Sequence, residues 1–445
     1  MGLLLAGGRV IDPAAGMDAV RDVLVEGGRI AAVAPAIPRE GHTVADVSDL
    51  VVAPGLVDLN VHLGDPGFTH REDVASGTRA AARGGITSLV CAADTSPAAD
   101  HPVVVEGIAA RAARDGRVRV HHIGALTKGL RGEELAPLGA LAPVVCAFSD
   151  DPRPVPDASL LRKALTYARP FNRPVILRCE DASLAGRGFA HEGAMAAVLG
   201  LRGIPSLAEE VAVARDLLLA EATGVRVHLT HISTAGAVRL IREAKRRGVP
   251  VTCDVTPHHL MLTEEAVEGF RPGTRVQPPL RSAQDRDALR EGLADGTIDA
   301  IASDHRPLAP EEVAVEYEAM PPGASGLETL LAAALTALVE PGIVGLPRVI
   351  ACLTHVPASI LDLPAGSLSP DAPADLVVID PACEWVVDPD QFLSRGCNTP
   401  FAGMRVRGRA VAALVAGQVV ACAPGFANTL SQVTGASSTT VEVRT

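Results

Sequence analysis

The residues best suited to chemistry begin at the end of a short apolar run, where positions 57–62 are Val-Asp-Leu-Asn-Val-His. Side chains two apart on a β-strand point to the same side, so histidines at both 60 and 62 would share one metal ion. This chain has Asn60 in the first position and His62 in the second. Zinc sites use His, Cys, Asp and Glu as ligands, and asparagine is not among them. His62 is therefore only one half of the expected pair.

Other apolar runs also end in polar residues, which is the pattern expected where strand ends build a site. The closing segments are 148–151, 177–181, 228–231 and 303–305, and they carry Asp151, Arg178, His231 and Asp304. In a barrel of parallel strands the chemistry lies at the carboxyl ends of the strands. We therefore expect these side chains to converge on one shared site with Asn60 and His62.

The elements that must position these residues alternate between apolar strands and Ala/Leu-rich helices, which is typical of repeated βα units. The predicted strands are 56–59, 86–91, 118–121, 144–148, 175–177, 225–229, 251–255 and 300–302. Eight such strands predict an α/β fold of the closed (β/α)8, TIM-like type. An open doubly wound sheet is the alternative, but no strand is followed by Gly-x-Gly-x-x-Gly.

Both ends of the chain favour β-structure. Residues 1–54 and 366–425 contain short Val- and Ile-rich runs separated by Gly and Pro, so we expect the two segments to form one small β-sandwich beside the barrel. The barrel itself is predicted to span 55–365. The last segment, 426–445, is rich in Ser and Thr without periodicity and is predicted to be a flexible tail.

Composition excludes several classes of function. The net charge of −12 argues against nucleic acid and anionic membranes as partners. The chain has no apolar run of about 18 residues, and its first residues lack the charged lead of a signal peptide. The 8 cysteines show no C-x-x-C spacing, which indicates core thiols in a reducing compartment. We expect a soluble, cytoplasmic protein.

Seven stretches, in order along the chain, resemble the class I dihydroorotases of the amidohydrolase superfamily. They include Pro-Gly-Leu-Val-Asp at 54–58 and Gly-Thr-Ile-Asp-Ala-Ile-Ala-Ser-Asp-His at 296–305, and the others lie at 148–151, 231–235, 255–260, 278–281 and 326–329. The resemblance covers nearly the whole chain. It implies a barrel flanked by a sandwich made from both chain ends.

Members of this family hold two zinc ions with a His-x-His pair, a bridging carboxylate, two later histidines and an aspartate that is also the general base. The matching positions here are Asn60 and His62, Asp151, Arg178 and His231, and Asp304. Two of the four histidines are replaced, and a guanidinium has no lone pair to give. The resemblance therefore implies a vestigial site with no cofactor, or alternatively one zinc ion held by His62, Asp151, His231 and Asp304.

The substrate-binding positions also depart from the family. The family has Arg where this chain has Gly64, Asn at Asp94 and at Gln277, and His at Leu308. Three of these positions, 64, 94 and 308, bind the substrate carboxylate in the family. A carboxylate at Asp94 repels such a group, and the loss of a charge-assisted partner costs several kcal/mol.

Arg178 has a physical interpretation of its own. If Asp151 and Asp304 approach each other without zinc, a cation must balance them, and we predict a guanidinium nitrogen within hydrogen-bond reach of one of the two. An arginine that faces water at a strand end is the alternative.

The leading hypothesis is a non-catalytic dihydroorotase-like protein of pyrimidine biosynthesis. The resemblance implies aspartate carbamoyltransferase as its partner, and a homo-oligomer is compatible with the sequence. The alternative is a zinc-dependent dihydroorotase or another cyclic amidohydrolase with a mononuclear site. A third interpretation is a small-molecule binding protein that uses the emptied pocket.

Overall fold

The computed structural model describes residues 2–424 and 426. The strands are β1 (Leu3–Asp12), β2 (Met17–Glu26), β3 (Arg29–Ala34), β4 (Thr43–Asp46), β5 (Val51–Pro54), β6 (Leu56–Val61), β7 (Ile86–Cys91), β8 (Arg119–Gly124), β9 (Ala147–Ser149), β10 (Val175–Arg178), β11 (Ala190–His191), β12 (Gly203–Ile204), β13 (Val227–Thr230), β14 (Val251–Val255), β15 (Ala300–Ile301), β16 (Leu376–Val386), β17 (Arg405–Val415) and β18 (Gln418–Cys422).

The α-helices alternate with the central strands. They are α1 (Val74–Arg83), α2 (Pro102–Asp115), α3 (Leu138–Leu141), α4 (Ala158–Ala168), α5 (Ala182–Ala185), α6 (Ala194–Leu199), α7 (Leu207–Thr223), α8 (Ala235–Arg246), α9 (Pro257–Met261), α10 (Ala283–Asp295), α11 (Pro310–Val313), α12 (Leu330–Ala334), α13 (Leu346–Leu353) and α14 (His355–Ile360). A π-helical turn, Leu335–Val339, extends α12. None of the described helices is both long and apolar enough to cross a membrane.

Eight parallel strands form a nearly closed barrel. Their order is β6-β7-β8-β9-β10-β13-β14-β15. The two outer strands meet where Val61 pairs with His305, and the backbone N–H of His62 donates to the carbonyl of His305 at 2.9 Å. The (β/α)8 prediction is therefore confirmed. The closure also brings the carboxyl ends of β6 and β15 side by side.

Capped amphipathic helices surround the barrel. The Asp73 side chain accepts from the backbone N–H of Ser76 and begins α1, while Thr234 caps α8 in the same way. The helix faces that contact the strands are rich in Ala, Val and Leu, so the large core needs few aromatic residues.

Strands from both chain ends share a second sheet. Its order is β18-β17-β16-β5-β1-β2-β3, and β4 pairs parallel with the first residues of β1, on the side where β5 pairs with later ones. Strand β5, from the first segment, pairs antiparallel with β16 from the last, with Val52 opposite Val378. Phe426 is buried against this sheet, and the rest of the predicted tail lies outside the described residues.

Candidate functional site

The carboxyl ends of five barrel strands place the predicted site residues together. Asn60 lies in β6 with His62 just after it, Asp151 follows β9, and Arg178 ends β10. His231 and Asp304 follow β13 and β15, and both have positive φ, +58° and +48°. All six residues are buried. Non-glycine residues rarely adopt this backbone conformation, which concentrates at functional sites.

Asn60 joins two of the positions that correspond to metal ligands in the family pattern. Its Nδ2 donates to Asp151 Oδ2 at 3.0 Å and lies 3.0 Å from Nε2 of His231. One amide nitrogen therefore lies against both a carboxylate and an imidazole whose positions are metal ligands in the family pattern. The other amide atom, Oδ1, is buried and has no hydrogen-bond partner among the described residues.

His62 contacts three carboxylates. Its Nδ1 lies 2.9 Å from Oδ2 of Asp94, and its Nε2 lies 3.6 Å from Asp151 and 4.0 Å from Asp304. Burial raises the pKa of Asp94, but the neighbouring His62 and, more weakly, Arg306 outweigh burial and hold that pKa below its usual range. Asp94 therefore keeps its negative charge and pairs with the His62 imidazole at the edge of the site.

His231 is held between carboxylates. Its Nδ1 lies 3.0 Å from Oδ1 of Asp254, and its Nε2 lies 3.4 Å from Oδ1 of Asp304. Burial disfavours the imidazolium, but Asp304, Asp254 and Asp151 outweigh burial and raise the pKa of His231 to about 9. Asp254 also accepts from His228 and Thr230, at 2.8 and 2.9 Å.

Arg178 lies inside the barrel mouth. Its nearest carboxylate oxygen is Oδ1 of Asp151, 4.0 Å from Nη1. This distance allows a charge–charge attraction but no hydrogen bond, so the predicted hydrogen bond to Asp151 or Asp304 is wrong. The solvent-facing alternative is also wrong, because the side chain is only 4% exposed. Asn60 donates to Oδ2 of Asp151, whereas the guanidinium lies nearer Oδ1 and balances the charge of the carboxylate without bonding to it.

The substrate-binding positions of the family have other uses here. Gly64 has φ +65°, and a Cβ at this position would lie 2.8 Å from the carbonyl oxygen of Phe68. Gln277 donates to both carboxylate oxygens of Glu180, at 2.9 and 2.8 Å. Leu308 is buried in an apolar cluster with Val267, Tyr317 and Met320. Positions 64 and 308 therefore carry no charged group that could bind a carboxylate. The side chain at the third position, Asp94, is an anion that pairs with His62.

The residues present do not fit a two-zinc centre. The side chain at position 178 is a cation, and the Asn60 amide nitrogen occupies the space between Asp151 and His231. Within residues 2–424 and 426, no group of three or more His, Cys, Asp or Glu side chains is arranged to hold a metal ion. The suggested single-zinc set of His62, Asp151, His231 and Asp304 stays a prediction.

Two functional contributors were missed from the sequence. Asp254 orients His231 from inside β14, and Arg306 supports the charge of Asp94. The sequence signal for Asp254 was a single acidic residue inside a mostly apolar strand, 251–255. Buried charges require partners, so this residue was a candidate for pairing with a histidine.

Comparison with known proteins gives one consistent family. A family model described as "Dihydro-orotase-like" matches residues 49–237. The chain is 50% identical over 421 residues to a dihydroorotase from Pelotomaculum thermopropionicum, with 94% of this chain and 98% of the relative covered. It is 47% identical over 420 residues to a dihydroorotase from Syntrophotalea carbinolica, with 94% and 99% covered.

Solved structures agree on the fold. The L-hydantoinase (dihydropyrimidinase) from Arthrobacter aurescens superposes with a TM-score of 0.85 at 26% identity, and 94% of this chain and 96% of that chain are covered. The barrel, the strand-end residues and these relatives together show that the chain belongs to the dihydroorotase family.

Proposed function

We propose that this chain is a dihydroorotase-family protein of pyrimidine biosynthesis that does not hydrolyse dihydroorotate and acts as a non-catalytic subunit. The observation that carries the proposal is the Asn60 amide nitrogen, 3.0 Å from both Asp151 and His231. Arg178, 4.0 Å from Asp151, adds a positive charge where the family pattern has a histidine. A cation beside a cation site disfavours metal binding.

The substrate side supports the same proposal. Dihydroorotate carries a carboxylate, and recognition of a carboxylate requires donors or cations. Position 64 is a glycine whose backbone excludes a side chain, position 308 is a buried leucine, and Asp94 brings a like charge. The metal-binding and substrate-binding positions have therefore changed together, while the barrel motifs are retained.

The proposed partner is aspartate carbamoyltransferase. This part of the proposal is supported by the resemblance to the dihydroorotase family, and fold alone does not determine a function. Co-expression of the two proteins followed by size-exclusion chromatography tests it. We expect a joint peak at micromolar concentrations, and separate elution of the two proteins would contradict the partnership.

A second candidate is an active cyclic amidohydrolase with a reduced metal site. It is favoured by the relatives' names, because proteins 50% and 47% identical to this chain are called dihydroorotases. The solved relative from Arthrobacter aurescens, an L-hydantoinase, is also named as a hydrolase of a cyclic amide. In this candidate His62, Asp151 and His231 would hold the metal and Asp304 would be the general base.

One experiment separates the two candidates. Zinc content and dihydroorotate turnover are measured for the wild-type chain, for the double variant N60H/R178H and for R246H, which adds a histidine at an exposed position in α8. We expect no stoichiometric zinc and no turnover in the wild type and R246H, and zinc binding in the double variant. Turnover by the zinc-loaded wild type would overturn the proposal and establish the second candidate.

A further inference from the structure

Helix α7 carries an apolar stripe on the side that faces solvent. Leu207, Val211 and Leu218 are 57%, 45% and 63% exposed, and Ala214 and Ala222 continue the same line. Side chains spaced alternately by four and three residues lie on one line along a helix. The stripe is the outermost line of α7, because the opposite face of the helix packs on the barrel.

Two carboxylates of the same helix are buried while these apolar side chains are exposed. Glu209 accepts from the backbone N–H groups of Ser233 and Thr234 at 2.9 Å each, and Asp216 accepts from Arg215 at 2.8 Å. A surface helix normally buries its apolar residues and exposes its charged ones. The folding of this chain alone therefore does not account for the stripe, and contiguous exposed apolar side chains mark interaction surfaces.

Exposed cations lie on both sides of the stripe. Helix α4 packs against one side of α7 and has Arg162 and Lys163 but no acidic residue, and α8 packs against the other side and has Arg239. Within the part of the chain that the structure describes, none of these three cations has a carboxylate partner. The nearby Asp157 accepts from the first backbone N–H groups of α4.

The other carboxylates on this face are already in use. Glu221 lies 3.1 Å from Arg247, Glu243 lies 3.1 Å from Arg246, and Glu210 lies against Gly236 of α8. This face therefore carries uncompensated positive charge, although the whole chain has a net charge of −12. A second copy of the chain packed face to face would set positive charge against positive charge. An acidic partner is complementary.

We propose that the outer face of α7 binds an acidic amphipathic helix of another protein, whose apolar side chains pack on the α7 stripe and whose carboxylates pair with the cations of α4 and α8. A helix fits this surface because it presents apolar side chains at the same alternating spacing of three and four residues. An anionic membrane fits less well, because the stripe is only one side chain wide and the whole chain is acidic. This face is on the outer wall of the barrel, and binding there does not depend on the proposed function.

Fluorescence anisotropy with a labelled model peptide tests this surface. The peptide has about 20 residues, enough to form a helix by itself in water, with leucines spaced as in the α7 stripe and glutamates beside them. One control peptide has lysine in place of every glutamate, and the other has alanine in place of every leucine. We expect saturable binding of the acidic leucine peptide and binding weaker by about tenfold or more for both controls.

Matched variants locate the binding on α7. V211E places a negative charge in the stripe, and V103E makes the same change at an exposed valine of α2. We expect V211E to weaken binding of the acidic peptide by about tenfold or more and V103E to leave it unchanged. R162Q/K163Q should weaken binding and reduce its dependence on salt.

Five results would overturn the proposal. Three concern the peptides: no saturable binding of the acidic leucine peptide, equal binding of the lysine peptide, or equal binding by V211E. A dimer in light scattering that V211E abolishes would make a second copy of the chain the occupant. Co-sedimentation with phosphatidylglycerol vesicles that V211E abolishes would make it a membrane.

Discussion

Substitution of Arg178 tests whether this arginine balances the negative charge of the carboxylates buried at the strand ends. Its guanidinium lies 4.0 Å from Asp151, and both side chains are nearly fully buried. At that distance a charge pair in a medium of effective dielectric constant 20 is worth about 4 kcal/mol. The substitution R178M keeps most of the side-chain volume and removes the charge. We expect the free energy of unfolding to fall by about 3 kcal/mol, in line with the loss of one partner from a buried pair.

Urea unfolding followed by circular dichroism measures this effect in a double-mutant cycle. The cycle consists of the wild type, R178M, D151N and R178M/D151N. Because D151N removes the charge that Arg178 balances, we expect R178M to cost at least about 1.5 kcal/mol less in the D151N background. R246M, at an exposed arginine, is the control and should change stability by less than about 0.5 kcal/mol. Additive single effects, within about 0.5 kcal/mol, would refute the role of Arg178 as the balancing cation.

Three further changes test other parts of the molecule. Burial outweighs the attraction of Arg83 and raises the pKa of Glu328 from 4.5 to about 7. The buried carboxyl therefore costs the folded protein no stability below pH 4.5, where it is protonated in the folded and the unfolded chain, and the protein loses stability as the pH rises through 7 and the carboxyl ionises. The free energy of unfolding of E328Q, measured in urea, should therefore exceed that of the wild type by a margin that grows to about 3 kcal/mol between about pH 5 and 8. A difference that does not change with pH would contradict this. G64A should lose about 1–3 kcal/mol, because Cβ meets the carbonyl of Phe68 at positive φ; an unchanged thermal midpoint would count against that strain. The imidazole of His231 should titrate by NMR near pH 9, and a midpoint below 7 would show that Asp304 and Asp254 do not dominate its environment.

The barrel was predictable from sequence because buried parallel strands are short apolar runs between glycines and prolines. The predicted strands 86–91 and 251–255 match β7 and β14 residue for residue. The prediction failed at β9, which begins at Ala147, whereas the apolar run begins at 144. Val145 and Cys146 are buried in the turn that precedes the strand, and apolar side chains satisfy burial in either conformation.

The sequence predicts which residues meet at the site, but it does not predict which of their atoms form hydrogen bonds. Strand ends converge in any closed barrel, so His62, His231 and Asp304 had to be neighbours. Whether Asn60 bonds to Asp151, and whether Arg178 approaches within 3 or 4 Å, depends on side-chain torsions that no sequence pattern encodes. Gln277 and Leu308 illustrate the same limit, because one binds Glu180 and the other packs into an apolar cluster.

The two replaced ligand positions are physically coupled, and this coupling decides what reversion would do. N60H alone would return an imidazole to the position of the amide, but the Arg178 charge, 4.0 Å from Asp151, would still oppose a divalent cation at that carboxylate. R178H alone would remove that charge but leave the Asn60 amide between Asp151 and His231. Zinc affinity measured for both single variants and the double variant should therefore rise strongly only in N60H/R178H. Full restoration by either single change would mean that the other residue does not block the site.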